Sequence, residues 1–339
     1  MTGPAPGHPA PLPFAWRRPG LALAWGGVAV SLALVPLLAD APTWVLLLPW
    51  TASAVALGLP HGAADPVVPF RMRGQALRAA PLAVFSVVYL AVGVAYLGVW
   101  VALPTAAALA FLALTWAHWG QGDLYALRAL GWDAHLGGRG HLALALVVRG
   151  ALPMAVPLVA FPEVYAEVVG AMAATFRPEG ADAARRVILG LPRPALAAAL
   201  AVLFAVYAVW GAVVARDRVG AGRTLALDLG EVAALAVFFA AVPPLWSVGV
   251  YFCLWHALRH LARLAPLVAG GSAGRLALLA TPATVGALIL VAALAWGAGA
   301  LDRPLGELGV YLVGIAALTV PHVLVVVWMD LRQHVWTPS

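Results

Sequence analysis

The sequence has no lysine, a single cysteine and few charged residues of either sign. Each scarcity excludes something. Charged residues make up 10% of the 339 positions, against about a quarter in an average soluble domain. A soluble chain of this length could bury a large core and would still need a charged coat. Here hydrophobic residues reach 63%, so much of the apolar surface has to face lipid. Without lysine, the net charge of +6 rests on arginine. The arginines are scattered between apolar runs and form no patch, which points away from nucleic acid and toward charges that set membrane topology. The lone Cys253 excludes an internal disulfide framework and a cysteine metal cluster, and reads as a small buried helix residue.

Apolar helix is what the chain has in abundance. The pattern predicts an all-α integral membrane bundle of about ten transmembrane helices: Leu21–Ala39, Trp44–Leu59, Pro81–Ala102, Thr105–His118, His141–Phe161, Pro194–Ala215, Leu227–Val242, Leu245–Leu264, Thr281–Leu301 and Gly309–Leu331. Leu103–Pro104 and Pro243–Pro244 predict tight hairpins. Residues 1–20 hold Pro4, Pro6, Pro9, Pro11, Pro13 and Pro19. They read as a disordered tail and not as a signal peptide, because the apolar run follows Arg17 and Arg18 and no cleavage pattern is evident. Residues 21–331 read as a single catalytic bundle and 332–339 as a short C-terminal tail.

With the N-terminus inside, the inner segments hold Arg17, Arg18, Arg71, Arg73, Arg78, Arg128, Arg139, Arg216, Arg218, Arg223, Arg259, Arg263, Arg275 and Arg332. The outer segments hold Arg177, Arg185, Arg186, Arg193 and Arg303, the first four offset by Glu163, Glu167, Glu179 and Asp182. An N-in, C-in topology therefore satisfies the positive-inside rule.

Five of the nine histidines lie in or at the ends of apolar spans: His61, His118, His256, His260 and His322. Ionisable residues at membrane depth are costly and are functional candidates by default; for any single one, a hydrogen bond to a neighbouring helix is the plain reading. All five fall on even-numbered spans, which run from outside to inside, so they share one layer in the inner half of the membrane. His256 and His260 are four apart and project from one helix face, a common way to present two imidazoles to a metal. Asp65 follows His61 by four residues and Asp123 follows His118 by five. Either acid could accept the second N–H of a metal-bound imidazole, or serve only as a cap or loop charge. Gly62, Gly120 and Gly122 allow close backbone approach or a break in the helix, or else ordinary small-residue packing.

Neutral imidazoles with open positions suit iron that binds dioxygen, while softness and geometry also admit zinc, copper or manganese. Glu231 is a further acceptor candidate for a ligand histidine, or a partner for Arg149. Phe111, Trp116, Trp119, Trp246, Tyr251, Phe252 and Trp255 gather on the histidine-bearing spans. They could wall an apolar substrate tunnel, or form interface belts and lipid-facing packing.

Four segments, in order, carry a resemblance: Pro60-His61-Gly62-Ala63-Ala64-Asp65, Ala117-His118-Trp119-Gly120-Gln121-Gly122-Asp123, Trp255-His256-Ala257-Leu258-Arg259-His260 and Pro321-His322. Together they resemble the Brp/Blh family of prokaryotic membrane β-carotene 15,15′-dioxygenases, associated with retinal supply to rhodopsins, over about Trp44 to Asp330. The resemblance implies that His61, His118, His256 and His260 bind ferrous iron, Fe(2+), with His322 a candidate fifth ligand or pocket residue. It also implies O2-dependent cleavage of β-carotene at the central double bond to two all-trans-retinals, in the cell membrane, with a rhodopsin as a candidate recipient. The sequence departs from the family in Trp119, where phenylalanine is commoner, and in Ala257, where a small polar residue is usual; both bear on pocket shape. The rival classes are a di-iron desaturase or hydroxylase, which needs more HxxxH or HxxHH clusters than this one pair, a haem-binding cytochrome, and a non-enzymatic transport or opsin-associated protein.

Overall fold

A computed structural model describes residues 14–297 and 304–338. Among them every regular element is helical. In chain order these are α1 (Phe14–Ala33), α2 (Val35–Ala39), α3 (Thr43–Leu46), α4 (Leu48–Ala52), a π-helical segment (Ser53–Leu57), α5 (Gly58–Gly62), α6 (Val68–Met72), α7 (Ala79–Ala102), α8 (Pro104–Ala129), α9 (Arg139–Ala160), α10 (Pro162–Ala173), α11 (Gly180–Leu189), α12 (Arg193–Asp217), α13 (Ala221–Ala241), α14 (Pro244–Val250), a second π-helical segment (Tyr251–Ala257), α15 (Leu258–Val268), α16 (Ala273–Gly297) and α17 (Pro304–Arg332).

Among the described residues, six helices are long and apolar enough to cross a membrane: α7, α9, α12, α13, α16 and α17. They correspond to the third, fifth, sixth, seventh, ninth and tenth predicted spans. The end of the ninth, with Leu301 and Arg303, lies outside the described residues, as does most of the proline-rich tail. The helix beginning at Phe14 takes in residues 14–20, which the proline content assigns to that tail.

The other four predicted spans differ for local physical reasons. The first kinks between α1 and α2, where Pro36 lies in the first turn of α2. The second and eighth are interrupted by the π-helical segments, an irregularity that recurs at functional sites. Pro60 has no N–H to return to the preceding turn, and the widened turn at Ser53–Leu57 lies directly before it. The fourth does not stop at His118: α8 runs on to Ala129. The polar run after His118 has the composition of a span end but is buried inside the bundle. Both predicted proline hairpins are present, with only Leu103 between α7 and α8 and only Val242 and Pro243 between α13 and α14.

α8 and α9 form a close pair. A Cβ at Gly120 would lie 2.0 Å from the Leu146 carbonyl oxygen, so the two backbones touch there and only glycine fits. α17 packs against α7, α10 and α16. Pro321 removes the N–H that would bond the Ala317 carbonyl. Gly93 lets α7 lie against that freed oxygen, within 2.8 Å of where a Cβ would stand. The predicted outer loop between residues 161 and 194 is two packed helices, α10 and α11. Its charges pair as Arg185 with Glu167, Arg185 with Asp182 at 3.9 Å and Arg193 with Glu163 at 3.8 Å.

Several arginines read as topology-setting charges are interior ties. Arg128 bonds Asp133 and the carbonyls of His334 and Val335. Arg263 bonds Asp330 at 2.7 Å and Gln333, and lies over the Tyr125 ring at 4.0 Å. Both are fully buried, and they close the C-terminal end of α17 onto α8 and α15.

Candidate metal centre

Five histidines from five elements gather in one cluster of rings. His61 comes from α5, His118 from the middle of α8, His256 from the second π-helical segment, His260 from α15 and His322 from just after the α17 proline. All five are buried. The His61 ring lies 5.4 Å from His256, 5.6 Å from His260 and 4.9 Å from His322, centroid to centroid. His118 is 4.8 Å from both His256 and His322, and His260 is 5.1 Å from His322. One ligand atom each from His61, His118 and His322 falls within 4.8 Å of the others, and the same holds for Asp65, His260 and His322. His322, the candidate fifth ligand in the sequence, belongs to both tight sets.

Hydrogen bonds fix the orientation of three rings. The Nδ1–H of His61 donates to the Gly58 carbonyl. His322 Nδ1 donates to Asp65 at 2.7 Å, and the same carboxylate oxygen accepts from the Tyr89 hydroxyl at 2.8 Å. His118 Nδ1 faces Gln121 Oε1 at 3.4 Å, and the Gln121 amide is held by donating to Asp330 at 2.7 Å. With Nδ1 as donor, the lone pair falls on Nε2, the arrangement by which outer groups set the tautomer of metal-binding imidazoles. Among the described residues, the buried Nε2 atoms of His118, His256, His260 and His322 have no hydrogen-bond partner. Four unsatisfied nitrogens side by side are costly in a folded protein unless something else binds them. A borderline metal cation suits this donor set, so these buried histidines could hold one.

The acids sort differently from their sequence positions. Asp65 follows His61 but bonds His322. Asp123 and Glu231 are not on histidines; among the described residues their partners are arginines and Tyr251. Arg149 bonds Glu231 at 2.8 Å, Asp123 at 3.4 Å and Asp228. Arg259 bonds Asp123 at 3.0 Å and Glu231 at 3.1 Å. The Tyr251 hydroxyl donates to Asp123 at 3.2 Å. The residue that does accept from His118 is Gln121, one helical turn on at i+3, a spacing present in the sequence but overshadowed there by the charged neighbour. Gly122 leaves room for His256, whose Nδ1 would stand 3.2 Å from an added Cβ.

The cluster opens on an apolar cavity of about 590 Å³, within the ~300–1,000 Å³ range of ligand pockets. His61, His118, His256 and His322 line it. Along α17 its wall runs from His322 back to Leu308, about 21 Å at 1.5 Å per residue. Of the aromatics singled out in the sequence, Phe111, Trp119 and Phe252 line the cavity. Trp116, Trp246, Tyr251 and Trp255 do not: the Trp116 indole donates to Val147 O, Trp246 donates to Ser31, Tyr251 reaches Asp123, and Trp255 packs edge-on against Trp25 with Arg259 over its ring. Wall residues missed in the sequence include Trp50, Met154 and the α10 residues Tyr165 and Met172.

Asp65→Asn keeps an acceptor for His322 and removes its charge. Metal affinity is expected to fall by roughly 10–100-fold, the usual cost of losing an outer-shell carboxylate. Titration of the purified variant with metal checks this; unchanged affinity would show that Asp65 contributes only through Tyr89.

Residues 52–330 match the family described as Beta-carotene 15,15′-dioxygenase. The chain is 41% identical, over 94% of its length and 94% of the relative's, to the probable beta-carotene 15,15′-dioxygenase Blh of Halobacterium salinarum. It is 31% identical, over 83% of each chain, to the probable beta-carotene 15,15′-dioxygenase Brp of the same organism. To a beta-carotene 15,15′-dioxygenase of an uncultured marine bacterium it is 25% identical, over 83% of this chain and 94% of the relative. No solved structure matches. A match over most of the chain, covering every segment that supplies a site histidine, places this protein in the β-carotene 15,15′-dioxygenase family.

Proposed function

We propose that the protein is an iron(II)-dependent dioxygenase that cleaves β-carotene at its central 15,15′ double bond with O2, giving two molecules of all-trans-retinal. The observation that carries this reading is the convergence of unpartnered, buried Nε2 atoms on an apolar cavity, in a chain of this family. His61, His118, His256 and His260 would hold the iron, with His322 joining the donor set through the ring that Asp65 orients. When bound, iron(II) supplies the dioxygen activation that side chains alone cannot.

The rest is the work of the chain's own residues. Among the described residues the cavity wall carries no acidic or arginine side chain, so it excludes water and holds a hydrocarbon by apolar contact. Phe111, Trp119 and Phe252 offer ring faces beside the histidines, with Trp119 and Phe252 nearly parallel at 5.9 Å. Fixing one bond of the polyene against the histidines is positional catalysis, in which geometry lowers the barrier by removing freedom of the reactants. No acid–base pair is required.

The exposed arginines, Arg18, Arg71, Arg73, Arg78, Arg139, Arg216, Arg223, Arg275 and Arg332 against Arg177, Arg186 and Arg193, support an N-in, C-in orientation in the cell membrane with the histidines in the cytoplasmic half, and fit ten crossings in which α8 and the interrupted segments also traverse the bilayer. Residues 21–331 would then act as one catalytic bundle. Retinal released into the bilayer would be available to a rhodopsin. The deciding experiment is expression in cells that accumulate β-carotene. Loss of pigment with two retinals formed per carotene is expected. Persistent pigment with iron bound to the purified protein would overturn the proposal.

A further inference from the structure

The same cavity reaches the outside of the bundle sideways. On α7 it is lined by Ser86, Leu90 and Val94, each four residues apart and so on one face. On α16 it is lined by Ala283, Gly286 and Leu290, again on one face. Leu90 is 50% exposed and Val94 65%, and Ala283 and Gly286 are exposed too. Both helices lean on α17, where Ile315, Leu318 and Thr319 form the floor between them. These two helices are among the six apolar enough to cross a membrane, so this flank faces lipid. Wall residues that are at once exposed on such a flank and continuous with the histidines describe an opening into the hydrocarbon, not into water.

We infer that the cleft between α7 and α16 is the entrance through which a rod-shaped, wholly apolar polyene passes from the bilayer to the histidine cluster. This rests on the proposed carotenoid activity and adds the route. A water-facing mouth would make a carotenoid leave lipid before binding, which is unfavourable in proportion to its apolar area. A sideways mouth avoids that transfer. The lining fits the occupant: among the described residues no charged group stands at the cleft, and small residues on α16, Ala283 and Gly286, leave it open. A Cβ built at Gly286 meets no atom within 4 Å, so a larger side chain there would extend into open space and not into the core.

The test is to narrow the cleft from either side. Gly286→Trp and Val94→Trp are each expected to lower the rate of retinal formation from β-carotene at least tenfold, with iron content unchanged. Val285→Trp, on α16, 48% exposed and neither three nor four residues from any wall position of that helix, is expected to stay within twofold of wild type. The two blocking variants lie on different helices, so if one fails to fold the other decides. A wild-type protein that forms no retinal overturns the proposed activity itself. An active wild type whose iron-loaded blocking variants both match its rate overturns the entrance alone. Equal losses in the Val285→Trp control would mean that bulk on α16 disturbs the fold, and would overturn it as well.

Discussion

His322→Ala is expected to lower iron content at least tenfold, as much as His118→Ala does, and to abolish retinal formation. The expectation comes from where the ring sits. It is 4.8–5.1 Å from the rings of His61, His118 and His260, inside both groups of donors compact enough to share an ion. Its Nδ1 is committed to Asp65 and, among the described residues, its buried Nε2 has no partner, which is the arrangement of a ligand. A residue that merely lined the cavity would have no need of a buried carboxylate behind it, itself held by the Tyr89 hydroxyl at 2.8 Å. Metal analysis alongside retinal yield separates the outcomes. Loss of both is the ligand result. Iron retained with retinal lost would make His322 a wall residue that places the polyene. Iron and turnover both retained would leave His61, His118, His256 and His260 as the sufficient set.

Periodicity and spacing made part of this site legible. Histidines on several apolar spans pointed to one layer, and the structure brings their rings into contact. Pro104 and Pro243–Pro244 marked the hairpins because proline cannot continue the helix before it. The paired roles were not legible, because the partners are far apart in sequence. Asp65 meets a histidine 257 residues away and Gln121 an acid 209 residues away, and nothing local distinguishes those from nearer candidates. The extension of α8 past His118 was hidden for the same reason. Gln121, Asp123 and Arg128 look like a helix leaving the membrane unless their buried partners from distant parts of the chain are known. α10 does not read as a wall element in the sequence because its twelve residues are too few to span the hydrocarbon core and Glu163 and Glu167 interrupt its apolar run, while the face carrying Tyr165 and Met172 walls the cavity.

Arg149→Met is expected to destabilise the protein by about 3–5 kcal/mol, the cost of leaving buried charge unpaired. In thermal unfolding of the detergent-solubilised protein this is a drop in Tm of roughly 5–10 °C. Methionine fills much of the same volume, so packing changes little and charge changes most. Arg149 is wholly buried and joins three carboxylates on two helices: Asp123 of α8, and Asp228 and Glu231 of α13. Without it, among the described residues, Arg259 is the one arginine left to Asp123 and Glu231, while Asp228 keeps His135 and the Tyr207 hydroxyl. The loss reaches the histidines through the chain itself. Arg259 lies between His256 and His260, and its two carboxylate partners hold that segment against α8 and α13, just past His118 on the α8 side. Adding Asp228→Asn and Glu231→Gln to Arg149→Met removes the orphaned charges, and should recover most of the Tm if charge compensation is the cause. A single variant with wild-type Tm would show that the carboxylates find other partners. A triple variant as unstable as the single one would assign the effect to the shape of the guanidinium instead, whose several N–H groups bridge three acids where methionine can bridge none.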